Sequence, residues 1–153
     1  MVSPSVAIRH ARLETGVRYL GAASILTVGA IHAQQYYYDY FSVVPVIGPL
    51  FLLSFIGAAL VALVLVAPVR LFGRLVGDAL LAAAAVGGIG IAVGTFAALL
   101  ISEYRPLFGF MESGYRLAIV LTLGFDVLST LLLGAFLAVV TPELVQLARM
   151  RRR

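Results

Sequence analysis

Asp126 is the residue in this sequence with the strongest claim to chemistry. It stands near the middle of an apolar run, residues 117–140, long enough to cross a membrane. An aspartate at the centre of a hydrocarbon layer costs on the order of 2.5–3.5 kcal/mol, so polar partners or a bound proton must offset it. Thr122, Ser129 and Thr130 stand at helical-neighbour spacing on the same run. Counted from the ends of the other apolar runs, Thr27, Ser54 and Thr95 fall at comparable depth. Asp126, Thr27, Ser54, Thr95, Thr122 and Thr130 are therefore the candidates for a polar crevice within the membrane. Such a crevice would be a hydrogen-bonded knot, a proton or cation path, or a small-molecule pocket.

A second group, His32, Asp39, Glu103 and Glu112, falls near the ends of the runs, on the side away from the two termini. Imidazole with carboxylates suits Zn or Mn, but one histidine is within reach and the spacing matches no ligand pattern. His10 lies on the opposite side, so ligation of haem by two histidines of one chain is excluded. The sequence thus predicts no metal and no cofactor. Glu103 and Glu112 are two carboxylates that could exchange protons with a substrate. Arg105 and Arg116 stand close to them, and local ion pairs are the simpler expectation. No residue is assigned a catalytic role.

The elements that must carry these residues follow from composition. Of 153 residues, 62% are hydrophobic and 12% charged, about half the charged fraction of a water-soluble domain. Lipid must therefore be the main solvent. Apolar runs cover residues 17–34, 48–67, 78–101 and 117–140. Each reaches the length needed to cross a ~30 Å hydrocarbon core as a helix. None shows the alternation of a membrane β-barrel strand. The expected fold is all-α, an integral membrane four-helix bundle forming one domain, with an arm at 1–16 and a tail at 141–153. Pro68 and Pro142 are expected to end the second and fourth helices.

All eleven basic residues are arginine. Nine of them, at 9, 12, 18, 70, 74, 149, 151, 152 and 153, fall on one side, and Arg105 and Arg116 on the other. The positive-inside rule places both termini in the cytoplasm. The nine are expected to bind anionic headgroups, at ~1 kcal/mol each near the surface. They account for the net charge of +4, and nucleic acid is not an expected partner. The arginine-only, Ala-, Gly-, Val- and Leu-rich composition reads as a GC-rich bacterial genome, hence a multi-pass protein of the bacterial plasma membrane. The basic arm before the first run could open a secretory signal, but the arm is long and Ile31-His32-Ala33 is a poor cleavage site. A retained helix is the better reading.

Between helices in lipid, small side chains set the distance of approach. Ala83, Gly87, Gly90, Gly94 and Ala97 recur at steps of four, three, four and three, and include a GxxxG. This seam would receive another helix of the same chain, a helix of a second protomer, or a ligand. Several functions drop out. Disulfide chemistry needs cysteine, and none is present. Small multidrug exporters carry a first-helix glutamate, and no acid stands between Tyr19 and Gln34. The sequence points to a non-catalytic bundle, either a homo-oligomer or the accessory subunit of a larger envelope complex. The alternative is a small carrier or channel using the Asp126 crevice, with an envelope enzyme third.

Overall fold

The computed structural model describes residues 4–112 and 114–151, and the side chains of 9–112, 114–142, 144, 145, 149 and 150. Arg152 and Arg153 of the basic tail lie outside the described residues. The chain is all-α, with four helices: α1 (Pro4–Tyr38), α2 (Ile47–Val66), α3 (Arg74–Tyr104) and α4 (Leu117–Arg151). Three of them contain segments long and apolar enough to cross a membrane: Ile47–Val66, Arg74–Tyr104 and Leu117–Pro142. The span expected at 17–34 on α1 is not among them; that helix carries charged residues in its first half and Ser24, His32 and Gln35 turned into the protein and buried.

The helices form a ring in chain order. α1 packs on α2 and on α4, α3 packs on α4, and α2 and α3 share the sparsest of the four interfaces. The α1–α2 and α3–α4 loops lie at one end, the two-loop end. The termini and the α2–α3 loop lie at the other, the terminal end. The core is fully buried at Ile25, Ala58, Leu65, Leu81, Ala85, Ala92, Leu133 and Phe136. Glycines set the closest approaches. A Cβ on Gly29 would come within 2.8 Å of the Ala58 methyl, and one on Gly88 within 2.6 Å of a Leu133 methyl. Away from the core, mid-helix positions such as Leu53, Leu60, Leu63, Val86 and Leu131 are exposed.

Local chemistry explains the helix ends. α2 begins after a γ-turn in which the Ile47 N–H donates to the Pro45 carbonyl at 2.7 Å. Val46 at its centre has φ 66°, a strained setting for a β-branched residue. Gly48 follows because a Cβ there would stand 2.5 Å from the Phe41 carbonyl oxygen. α2 stops at Val66, two residues before Pro68, with Ala67 extended as a residue before proline prefers. α4 does not stop at Pro142. It runs through to Arg151, because a proline removes one backbone hydrogen bond and the residues that follow are mostly good helix formers.

The terminal end is tied by an ion cluster. Arg70, on a 3-10 turn between α2 and α3 (Val69–Phe72), donates to Asp78 Oδ1 at 2.6 Å and to Glu14 of α1. Arg74 lies 3.8 Å from the other Asp78 oxygen. Asp78 is completely buried. Burial works against the Arg70 charge, but the bonds to Asp78 and Glu14 outweigh it and hold the guanidinium above its ordinary pKa. Gly77 allows the turn to fold back this closely, since a Cβ there would stand 2.6 Å from the Arg70 Cα. Removing one partner strands a buried charge, which is the costly way to break such a pair. Arg70→Ala should lower the unfolding free energy by about 3 kcal/mol, the lower end of that class because Arg70 is partly exposed. Adding Asp78→Asn should restore a large part of the loss, as read by unfolding in mixed detergent micelles.

Candidate functional site

A polar-edged cleft of about 320 Å³ lies between α2 and α3 at the two-loop end, and a more open groove of about 530 Å³ runs between α1 and α4. The cleft arises where the sparse α2–α3 interface opens. Leu50, Phe51, Leu53 and Ser54 form its α2 wall, and Gly90, Ile91, Gly94 and Thr95 form its α3 wall. Towards the loops, His32, Ser102 and Glu112 supply polar atoms, and Leu107 and Phe110 complete that rim. A second cavity of about 20 Å³, the scale of one water molecule, lies behind it. The two share His32, Phe51, Leu99 and Glu112 as a common wall.

An aromatic cluster fixes the polar rim. Phe41 stacks on Phe51 with centroids 4.8 Å apart and meets Phe110 edge-on at 5.4 Å. The His32 ring lies 5.0 Å from Phe51, and its Nδ1 donates to the Val28 carbonyl at 2.9 Å. Glu112 accepts from Arg116 at 3.0 Å, and its backbone N–H donates to the Ser102 carbonyl at 3.0 Å. Arg116 also lies over the Phe41 ring, 5.8 Å from the centroid. Residues 107–110 make a tight turn, with Leu107 and Phe110 exchanging backbone hydrogen bonds of 2.7 and 2.9 Å. Phe108 and Gly109 both have positive φ, the pattern of a type I′ turn.

Asp126 is buried on α4, and its Oδ1 lies 2.9 Å from the Thr95 hydroxyl across the α3–α4 interface. Thr95 also lies 2.9 Å from the Ile91 carbonyl and 3.1 Å from that of Ala92. One hydroxyl proton serves one acceptor at a time, so Thr95 either donates to the carboxyl or accepts from it. Asp126 Oδ2 is buried without a hydrogen-bond partner, beside an apolar groove lined by Val93, Phe96, Val127 and Leu131. Thr95 faces the cleft as well, and so connects Asp126 to it.

The other crevice candidates separate. Thr130 donates to the Asp126 main-chain carbonyl at 2.8 Å, and Thr122 to that of Ala118 at 2.9 Å beside the small cavity. Thr27 bonds the Ala23 carbonyl and faces an α1–α4 groove with Gln34, Gln35 and Asp39. Ser54 lines the cleft on the opposite side of the protein core. Of the outer-face group, His32 and Glu112 share both cavities. Asp39 accepts from Gln35, and Glu103 has a buried, unpartnered Oε1 and does not line the cleft. Among the described residues no three His, Asp or Glu side chains come together as a metal site.

The small-residue seam of α3 turns away from the chain's own core. Ala83, Gly87, Gly90, Gly94 and Ala97 are all exposed, whereas Leu81, Ala85, Gly88 and Ala92 make the buried contacts. A Cβ added at Gly90 or Gly94 would meet nothing within 4 Å.

Sequence reading passed over three features. The Glu14–Arg70–Asp78 cluster could have been suspected from two acids and two arginines near one end. The Ser24–Ser129 hydrogen bond of 2.8 Å links α1 to α4, and Ser102 completes the cleft rim. Comparison with protein families, with curated proteins and with solved structures gives no match.

If Asp126 serves only as a hydrogen-bond partner of Thr95, an amide replaces it at little cost. Asp126→Asn is expected to shift the unfolding free energy by less than about 1 kcal/mol, the scale of one net hydrogen bond. A loss of several kcal/mol, read by the same detergent unfolding assay, would show that the carboxyl group itself is required.

Proposed function

We propose that the protein is a four-helix integral membrane protein of the bacterial plasma membrane, with both ends in the cytoplasm and no catalytic chemistry of its own. Its role is lateral assembly, either with a second copy of itself or as the accessory subunit of a larger envelope complex. The observation that carries this reading is the exposed small-residue face of α3. Lipid tails have no use for small side chains, but a neighbouring helix does, because backbone-to-backbone approach is what stabilises helix pairs where the hydrophobic effect is silent. Five such positions in register, unused by the chain's own packing, fit a partner helix from outside.

The membrane setting has its own support. The outward positions of α2, α3 and α4 are largely Leu, Val and Ile, a surface far more apolar than water tolerates on a monomer. Among the described residues, the arginines at 9, 12, 18, 70, 74, 149 and 151 fall at the terminal end, and Arg105 and Arg116 at the two-loop end, which supports a cytoplasmic terminal end.

Because the chain has no cysteine, single-cysteine variants carry no background. Ala83→Cys should form disulfide-linked dimers on mild oxidation in native membranes, and Leu131→Cys, on the exposed side of α4, should not. Gly87→Leu added to Ala83→Cys should remove most of the product. A stoichiometric partner chain that co-purifies in mild detergent and is lost in Gly87→Leu supports the same face in its heteromeric form. A monomer with neither property contradicts the reading.

A further inference from the structure

We infer that the α2–α3 cleft is a binding site for a small amphiphile whose apolar body lies between the helices and whose head group donates hydrogen bonds, a hydroxyl or a protonated amine. The cleft shares Gly90 and Gly94 with the proposed assembly face, whereas Ala83, Gly87 and Ala97 lie outside it. At about 320 Å³ the cleft is at the small end of small-molecule sites, which are mostly apolar with a few placed polar groups.

The head-group chemistry follows from counting donors and acceptors. His32 is 6% exposed, and its Nδ1 bonds a carbonyl. A carbonyl only accepts, so Nδ1 carries the hydrogen, and the neutral ring presents Nε2 as an acceptor. Ser102 gives its proton to the Leu99 carbonyl at 2.8 Å, which leaves its oxygen able to accept. Glu112 accepts from Arg116 at 3.0 Å. The Thr95 proton is shared among neighbours on its own helix and Asp126. Among the described residues that line the cleft, Ser54 alone has a hydroxyl free to turn either way.

Backbone donors along the rim are spent as well. The N–H groups of Ile47, Leu50, Leu107, Phe110 and Glu112 all bond main-chain carbonyls. Among the described residues no arginine lines the cleft. A carboxylate or phosphate head would therefore find almost no donor among the described residues, and an ether would bring no hydrogen to His32 Nε2 or the Ser102 oxygen. A donating head satisfies them, and an ammonium gains the Glu112 charge in addition.

The test uses decanol bearing a terminal diazirine, photolysed with the full-length protein in phosphatidylcholine nanodiscs. Mass mapping should place the label on residues 50–54 and 90–99. Unlabelled decanol and decylamine should compete. Decyl methyl ether and decanoate should compete about tenfold less well, as expected when a buried acceptor loses its donor. Competition by decanol but not decylamine assigns a neutral hydroxyl head; competition by both assigns the donating group in general. Ser54→Phe, which fills the cleft, should abolish labelling, and its unfolding midpoint reports whether it still folds. Equal competition by all four probes, or label spread evenly over the lipid-facing surface, overturns the inference whatever the variant does.

Discussion

Leu133 is the wedge on which the helix arrangement depends. Its two methyl groups occupy notches on two different helices. A Cβ on Gly21 of α1 would stand 2.7 Å from one methyl, and a Cβ on Gly88 of α3 would stand 2.6 Å from the other. The side chain is fully buried. One residue of α4 therefore sets the distance to both neighbours, and close packing forbids gradual adjustment. The Gly29–Ala58 contact fixes α2 against α1 in the same way. No comparable notch is shared by α2 and α3 at the two-loop end, where Gly90 and Gly94 face open space. The α2–α3 side has looser glycine contacts, where an added Cβ would stand 3.0 Å from Ile91 at Gly57 and 3.1 Å from Val61 at Gly88, and toward the two-loop end it spreads apart to form the cleft.

The polar groups divide accordingly. At the terminal end, charge is compensated within the protein, with Arg70 spanning Asp78 and Glu14 so that α1, α3 and the α2–α3 turn are pinned together. Toward the middle, single hydrogen bonds replace ion pairs, as between Ser24 and Ser129 and between Thr95 and Asp126. At the two-loop end, Arg116 pairs with Glu112 and Gln35 with Asp39, and His32, Ser102 and Glu112 also border the cleft. Phe51 and Phe110 line that space and Phe41 packs against both, and the strained Val46 turn and Gly48 bring the start of α2 against the Phe41 turn.

Much of the helical layout is legible in the sequence, because run length and proline placement depend on the chain alone. Loop Pro68 marks a real boundary, and Pro142, inside α4, does not, since one lost hydrogen bond is tolerated where helix formers follow. The site is less legible. Depth counting sets the height of a residue along its helix but not the direction it faces. Thr95, Thr27 and Ser54 share a level, yet Thr95 faces Asp126, Thr27 an α1–α4 groove and Ser54 the cleft. The α3 stripe shows the same gap. Small residues mark both the tightest contacts, at Gly88, and the emptiest face, at Gly90 and Gly94, and composition alone does not separate them. The meeting of His32 with Glu112 depends on the fold of the 105–116 loop, which no periodicity encodes.

The account rests on the terminal end facing the cytoplasm and the two-loop end, with its cleft, facing out. The most direct measurement is labelling of single cysteines by a membrane-impermeant maleimide in intact cells, at Ser42→Cys in the α1–α2 loop and Met150→Cys near the end of α4. The account predicts that the cysteine at 42 is labelled at once and that the one at 150 is protected until the membrane is opened. The reverse pattern, or labelling of both positions in intact cells, would contradict it.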